Sequence, residues 1–302
     1  SRELFDILLK DRTTNKNIIW ATNDYSSYGA LYQATEQMDA NLITGIYSKI
    51  IQPRVAKAHE QKNNRTRDKA EVFTPSWICN AQNNLVDERW FGRPDVFNVE
   101  KNNTWTATER VIFPEDSQHT WKNYVDARRI EVSCGEAPYL VSRYDTVTGD
   151  PIELLSRIGL LDRKLRVVSE NAPDEKEWLK WAYRAYESVY GFEFQGDNLL
   201  LARENLLYTF IDYMRYALKR TPTLDELKKV ATIISWNLWQ MDGLTYGPPL
   251  YDIQEEVNQI SMFDLMAEEP LIVQKPAQSR CKIKDWRAKV NVEYYSLVKG
   301  EL

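Results

Sequence analysis

The sequence lacks the features that mark several classes of protein. Only three cysteines, Cys79, Cys134 and Cys281, occur in 302 residues. They are far apart and form no CxxC pair, which argues against a disulfide framework or a zinc site and fits a reducing cytoplasm. His59 and His119 lie apart in polar stretches, so we expect neither a His-based triad nor a metal centre.

Long apolar runs and a basic excess are also missing. No apolar stretch is long enough to span a membrane, and residues 1–9 lack the charged start and apolar core of a signal peptide. We therefore expect a cytoplasmic protein without membrane contact. The formal net charge is −5, whereas a protein that binds nucleic acid unaided usually shows a basic excess. Any contact with DNA must be local or come from a partner.

What remains is an ordinary globular composition, with 43% hydrophobic and 27% charged residues. We divide the chain into a helical N-terminal region over residues 1–70, a core over 71–250 and a C-terminal extension over 251–302. Within the first region, residues 53–69 are locally basic. A solvated helix face explains this stretch better than a phosphate-binding strip.

The core alternates between strand and helix patterns. Strands are predicted over residues 129–133, 192–194 and within 233–241, helices over 75–90, 175–189 and 199–218, a capping box at Thr223 to Glu226, and irregular chain over 94–117. Such alternation predicts an α/β fold with a parallel sheet flanked by helices. Ligands of such sheets bind at the carboxyl ends of the strands.

The first candidate binding element runs from Glu131 to Tyr139 and reads EVSCGEAPY. It starts as a strand and ends in small residues, so that Gly135 lets the backbone approach a ligand and Ala137 adds no bulk. The acidic Glu131 at the strand end can bind an ammonium group. Taken alone, a plain junction between strand and loop explains this stretch better.

Two further acidic residues follow predicted strands. Glu193 suits a bidentate grip on ribose hydroxyls. An exposed loop glutamate is the alternative interpretation, but the flanking Phe192 and Phe194 favour the tip of a strand. Asp242, followed by Gly243, can accept a hydrogen bond from an exocyclic amino group such as adenine N6. The same Asp-Gly pair is also a common turn.

Ahead of these lies Phe73-Thr74-Pro75, where Thr74 can cap the next helix with Pro75 as its first residue. The ordered set F-T-P, E-x-x-C-G-x-A-P-Y, G-x-E with L-A-R-x-N-L, and N-x-x-x-x-D-G-L resembles the adenine-N6 DNA methyltransferases of restriction–modification systems, and more narrowly their modification (M) subunits. The resemblance covers most of residues 71–245. It implies a class I methyltransferase (Rossmann-like) fold that binds S-adenosylmethionine.

The resemblance assigns roles to individual residues. The methionine end of the cofactor would be flanked by Phe73, Thr74 and Pro75. The loop around that end would be lined by Glu131, Cys134, Gly135, Ala137, Pro138 and Tyr139. Glu193 would hold the ribose, Phe194 would pack on the adenine ring, and Asp242 would meet the adenine amino group.

The sequence departs from the family pattern in two ways. Glu193 lies 193 − 135 = 58 residues beyond Gly135, whereas about 20 separate the corresponding positions of nucleotide-binding folds. The insert would cover the cofactor pocket or elaborate the sheet edge, and we favour a lid. The second departure is the absence of the (N/D)-P-P-(Y/F) motif that holds the flipped adenine. The nearest string, Gly247-Pro248-Pro249-Leu250, lacks the polar head and the aromatic residue, and we interpret it as a turn.

We therefore expect a split adenine-specific DNA methyltransferase. A second subunit would supply the catalytic motif, complete the sheet and contact double-stranded DNA, and this chain would be inactive alone. Residues 281–297 resemble the segment that precedes the catalytic strand in longer relatives, so a truncated chain is the competing account. A non-catalytic, degenerate scaffold or regulatory subunit is the alternative function. A nicotinamide-dependent dehydrogenase is disfavoured because no GxGxxG follows the first strand.

Overall fold

The N-terminal part of the chain is largely irregular. A computed structural model describes residues 1–56, 74–250 and 280–300. The first range forms helix α1 (Arg2–Leu9), helix α2 (Ala40–Ile43) and short 3-10 turns. The predicted helical region over residues 1–70 is thus wrong for most of residues 1–56, and the rest of it, with most of the basic stretch, lies outside the described residues. Asp11 shows one physical reason, because its carboxylate accepts the main-chain N–H groups of Thr13 and Thr14 and so competes with a helix.

Helix α3 (Ser76–Phe91) confirms the helix predicted over 75–90, but the chain after it is not irregular throughout. Strands β1 (Asn98–Lys101) and β2 (Thr104–Ala107) form an antiparallel hairpin, so the prediction for residues 94–117 is wrong there. Asn102 and Asn103 at the turn both have positive φ. Asparagine adopts this conformation more readily than most residues, and two-residue hairpin turns require it.

Helix α4 (Trp121–Asp126) leads into a three-stranded parallel sheet with the strand order β3-β4-β5. Its strands are β3 (Arg129–Glu131), β4 (Val189–Glu193) and β5 (Leu238–Gln240). Helices α5 (Leu160–Asn171) and α6 (Glu175–Glu187) connect β3 to β4, and α7 (Gly196–Leu218) and α8 (Leu224–Asn237) connect β4 to β5. The mixed α/β architecture, the three strand positions and the capping box at Thr223 are confirmed. In the described ranges no helix combines the length and apolar character needed to cross a membrane.

The two faces of the sheet are covered differently. Val189 and Leu238 join one large apolar cluster with residues of α1 and of α5 to α8. On the other face, Tyr190, Phe192 and Trp239 pack against a C-terminal unit. This unit consists of the antiparallel strands β6 (Lys282–Asp285) and β7 (Val290–Glu293) and helix α9 (Tyr294–Lys299). Because side chains alternate between faces along a strand, neighbouring residues belong to different clusters.

The two outer strands differ in exposure. All three residues of β5 are buried, and the amide of Gln240 exchanges two hydrogen bonds with the main chain of Ile19 (2.9 and 2.8 Å). On β3, by contrast, Ile130 is 45% exposed and Val132, just beyond it, is 61% exposed. No strand of the described ranges pairs along the outer side of β3. In the described ranges β5 likewise has no strand on its outer side, but it is buried, so β3 is the open, exposed edge of the sheet.

A buried arginine attaches the N-terminal segment to the sheet. Arg203 of α7 is fully buried and donates hydrogen bonds to the carbonyls of Leu8, Lys10 (3.1 Å) and Leu238 (2.6 and 3.0 Å). Burial lowers the pKa of Arg203 to about 9. A guanidinium can be buried without a carboxylate partner only when its donors find acceptors. The arginine of the L-A-R-x-N-L motif is thus a structural residue.

Candidate functional site

A cavity of about 840 Å³ lies at the carboxyl ends of β3 and β4, where parallel sheets bind ligands. Eight of the predicted site residues line it: Thr74, Glu131, Cys134, Gly135, Pro138, Tyr139, Glu193 and Phe194. The other walls are formed by Gln82, Asn83, Val86, Ile130, Val132, Ser133, Leu160, Gln195 and Asn198. The fold therefore brings residues from three separate sequence motifs to one place.

The loop after β3 presents its backbone to this cavity. Ser133, Gly135 and Ala137 have φ values of 51°, 53° and 64°, a region that glycine alone occupies without steric cost. The N–H of Cys134 donates to a main-chain carbonyl of β4 at 2.8 Å, which fixes the loop against the sheet. The small residues of the motif are thus explained by the shape of the loop.

Glu131 ties this loop back to the end of β3. Its carboxylate accepts the N–H groups of Tyr139 (3.3 Å) and Leu140 (3.2 Å). The residue is 8% exposed, and this burial raises the pKa of Glu131 to about 8, against the opposing effect of the two N–H donors and with a further contribution from Glu193. Burial disfavours the charged form of any group that lacks a counter-charge, so a cation in the cavity would favour ionised Glu131.

Glu193, the last residue of β4, is a second buried carboxylate in the same cavity. Its two oxygens accept the N–H groups of Gly135 (2.8 Å) and Gln195 (3.1 Å), and burial raises its pKa. Neither Glu131 nor Glu193 pairs with a lysine or arginine of the described residues. Two buried carboxylates that line one cavity, with no cation paired to them in the described part of the chain, favour a positively charged ligand.

Gln82 and Asn83 of helix α3 form a polar wall of the cavity that the sequence analysis missed. Asn80, Asn83 and Asp87 are buried, but of these three Asn83 alone lines the cavity, and it donates to the carbonyls of Tyr139 (3.0 Å) and Ile158 (2.9 Å). These two hydrogen bonds hold the main chain of the cavity loop at Tyr139 and of the insert at Ile158. The available signal was the spacing of three and four residues between these polar side chains, which puts them on one helix face.

The start of α3 differs from the expectation. Thr74 does not cap the helix, because Pro75 occupies the N-cap position without a side-chain cap. Instead, the carboxylate of Asp145 accepts the N–H of Ser76 at 3.1 Å, and the hydroxyl of Thr146 donates to the Thr74 carbonyl at 3.0 Å. A loop from the long insert thus completes this helix terminus.

The insert does not act as a lid. Beyond Tyr139 and before β4, Leu160 is its one contribution to the cavity lining among the described residues. Helices α5 and α6 pack in the main apolar cluster. The segment before them is held by side-chain hydrogen bonds, since Tyr144 donates its hydroxyl to Glu136 and accepts the Asn205 amide at 3.2 Å. The prediction of a lid is therefore wrong, because the insert is used to connect two parallel strands.

Three predicted site residues of the described ranges do not line the cavity, and a fourth, Phe73, lies outside those ranges. Ala137 is fully buried, and Pro75 at the N-cap of α3 is not part of the lining. Asp242 follows β5, where its carboxylate accepts the N–H of Leu244 at 2.8 Å. Asp242 therefore acts as a turn residue in this structure, as the simpler interpretation of the Asp-Gly pair has it.

Comparison of the chain with protein-family models, with curated proteins and with solved structures found no match. The function must therefore be argued from the residues of the cavity and from their surroundings.

Proposed function

We propose that this chain is the S-adenosylmethionine-binding subunit of a DNA adenine-N6 methyltransferase. The observation that carries the proposal is the pair Glu131 and Glu193. These carboxylates are buried at the ends of neighbouring parallel strands, face one cavity and have no cationic partner among the described side chains. S-adenosylmethionine carries an ammonium group, a sulfonium group and a ribose diol, which are the groups that such a pair can bind.

The dimensions and donors of the cavity fit this cofactor. Its volume of about 840 Å³ lies within the usual range for small-molecule sites, about 300–1,000 Å³. Glu131 would take the ammonium group beside the loop. Each oxygen of Glu193 keeps a free lone pair after accepting one N–H, so it can accept a ribose hydroxyl. Phe194 offers a ring for the adenine, whereas the role of Asp242 stays a prediction without support from the cavity.

The bound cofactor would supply an electrophilic methyl group. The part of this chain is to neutralise the cofactor's positive charge, to orient it by its ribose and to exclude water from one side of it. Positioning of this kind is a large part of the catalysis of a reaction between two bound molecules.

The adenine pocket, with its (N/D)-P-P-(Y/F) motif, would come from a second methyltransferase subunit that also contacts double-stranded DNA. The open edge of β3 supports this division. Ile130 and Val132 line the rim of the cavity and are exposed, and Val86 of α3 is 38% exposed on the same rim. A strand with apolar residues at alternating positions would pair with this edge and close the cavity.

Isothermal titration of S-adenosylmethionine into this chain tests the cofactor part of the proposal. We expect one binding site. Glu193→Ala should weaken binding by about 1–3 kcal/mol because two ribose hydrogen bonds are lost. Glu153→Ala removes an exposed carboxylate far from the cavity lining and should leave the affinity unchanged. Equal affinities of the wild type and Glu193→Ala would contradict the assignment.

A methyl-transfer assay tests the rest, with labelled S-adenosylmethionine and mixed-sequence duplex DNA. We expect methylated adenine when this chain is combined with the product of the adjacent reading frame, and none with this chain alone. Activity of the isolated chain would overturn the split arrangement. An absence of both cofactor binding and activity in the mixture would favour the scaffold function.

A further inference from the structure

Four cations lie on the outer surface near the amino ends of the strands, and we call this set the cationic track. It consists of Lys122 of α4, Lys229 of α8, Lys284 of β6 and Arg12. Each of them stands over an aromatic ring: Lys229 is 3.8 Å from the centre of its ring, and the other three lie 4.7–5.7 Å from theirs. None of the four forms an ion pair within the described ranges. Glu177 and Asp11 act on Lys122 and Arg12 only through space, so no carboxylate of the described residues is in direct contact with the track.

Two adjoining clefts make the track continuous. The first, of about 770 Å³, is lined by Trp181, which also contacts Lys122. The second, of about 330 Å³, is lined by Trp286, which also contacts Lys284. Lys229 belongs to the lining of both clefts. An extended ligand can therefore follow the surface from α4 to β6 without leaving it.

The track lies at the opposite end of the sheet from the cavity. Glu187, which lines both clefts, precedes β4 by two residues. Trp236, the ring beneath Arg12 and Lys284, precedes β5 by two residues. A ligand on this track is thus separated from the carboxyl ends of the strands by the full length of the sheet.

Most acidic residues beside the track have a cationic partner of their own. The ion pairs are Asp126 with Arg184 and Arg287, Glu187 with Arg184 at 3.1 Å, Asp285 with Arg128 at 2.9 Å, Glu177 with Lys180 at 2.8 Å and Glu175 with Arg220 at 2.7 Å. Asp11 offsets part of the charge of its neighbour Arg12, so the three lysines of the track carry the local excess. In a chain of net charge −5, this is the local basic surface that contact with a polyanion requires.

We propose that the cationic track binds a nucleic-acid strand, with phosphates against the four cations and bases against the interleaved rings. Alternation of cations and partly exposed aromatic rings along a groove is the arrangement that holds single strands without sequence preference. An acidic protein segment would use the cations but leave the rings without a role. The inference goes beyond the proposed function, because a strand at this end cannot place a base in the cavity.

Fluorescence anisotropy with a labelled, mixed-sequence single-stranded oligodeoxynucleotide tests the track. The variant Lys122→Gln/Lys229→Gln/Lys284→Gln should bind at least about tenfold more weakly. Its plot of log affinity against log salt should be less steep by roughly 2, since each lost phosphate contact removes about 0.7. The control Lys49→Gln/Lys101→Gln/Lys219→Gln changes the net charge equally at exposed positions off the track, and should bind like the wild type.

Several results would overturn the inference: no binding by the wild type, equal losses in both triple variants, or equally strong competition by a polyglutamate peptide. The last result would assign the track to an acidic protein. Calorimetry with S-adenosylmethionine on the track variant keeps the two proposals apart, because the cavity is untouched and cofactor affinity should be unchanged. If the triple variant is unstable, the single change Lys229→Gln should still lower the salt dependence by about 0.7.

Discussion

The two ends of the parallel sheet carry charges of opposite sign in opposite surroundings. At the carboxyl ends, Glu131 and Glu193 are buried and have no counter-charge among the residues that the structure describes. At the amino ends, Lys122, Lys229 and Lys284 form no ion pair with a described residue either, but they lie on the surface against aromatic rings. Both ends can bind a charged ligand. They differ in how much their unpaired charges lower the free energy of unfolding.

The environment of each charged group determines how much it lowers the free energy of unfolding. An uncompensated charge in a low-dielectric site is expensive, so the group holds its proton and its pKa moves. An uncompensated charge in water costs little, and a ring beneath it adds only about 0.5–1 kcal/mol of attraction. Substitutions in the cavity should therefore alter the free energy of unfolding and its pH dependence, whereas substitutions in the track should alter ligand binding alone.

The largest effect that would separate the two ends is the pH dependence of Glu131→Gln. The pKa of Glu131 rises from 4.5 in the unfolded chain to about 8 in the folded one. With this raised pKa, the wild type has its full stability below pH 4.5 and loses stability as the pH rises from 4.5 to 8. Relative to the variant, the wild type should lose roughly 4 kcal/mol between pH 5 and pH 9. Urea unfolding at both pH values measures this, and parallel pH profiles would contradict it.

The next effect concerns the polar wall of the cavity. Asn83→Ala removes two hydrogen bonds to buried carbonyls and should lower the free energy of unfolding by about 2–3 kcal/mol. It should also weaken cofactor binding, because the loop is less firmly held. Glu88→Ala, at an exposed position of the same helix, should change the stability by no more than about 0.5 kcal/mol. Similar losses in both variants would show that α3 is generally fragile.

A smaller effect links the cavity to its ligand. Below pH 8, a cationic ligand must displace the proton of Glu131, so the affinity for S-adenosylmethionine should rise by up to about tenfold per pH unit between pH 6 and pH 8. Calorimetry in buffers of different ionisation enthalpy should show close to about one proton released. In Glu131→Gln both effects should be much reduced. A pH-independent affinity of the wild type would remove the carboxylate pair from the binding site.

The smallest effect is expected at the amino ends. Lys229→Ala removes an exposed cation from the face of Tyr183 and should alter the free energy of unfolding by no more than about 1 kcal/mol at any pH from 5 to 9. Thermal unfolding across this range measures it. A strong pH-dependent loss would mean that the track, like the cavity, is part of the folded core.

The convergence of Glu131 and Glu193 was predictable from the sequence. Each acid lies in a predicted strand, and parallel strands bring their carboxyl ends to the same side of a sheet. The contribution of Asn83 was not predictable in this way. It lies in a helix 48 residues before Glu131 by position number (131 − 83), and its contact with the loop depends on packing between distant segments.

Predictions from local sequence patterns were wrong where the same pattern is compatible with two different roles. The pair Asp242-Gly243 is compatible with both a turn and a ligand site. The hydrogen bond that the Asp242 carboxylate accepts from the N–H of Leu244 shows that the side chain is used in the turn. The long insert gave no indication of whether it covers the cavity or links strands. Its role was decided by the burial of α5 and α6, which depends on the complete sheet.

The open edge of β3 has a consequence for assembly. Exposed strand edges invite uncontrolled growth into fibres, because every added strand offers a new edge. Here the opposite strand, β5, is fully buried and bonded through Gln240 to Ile19. Two copies of this chain that pair through β3 would use both exposed edges, so such a pairing closes as a finite dimer and does not continue as a polymer.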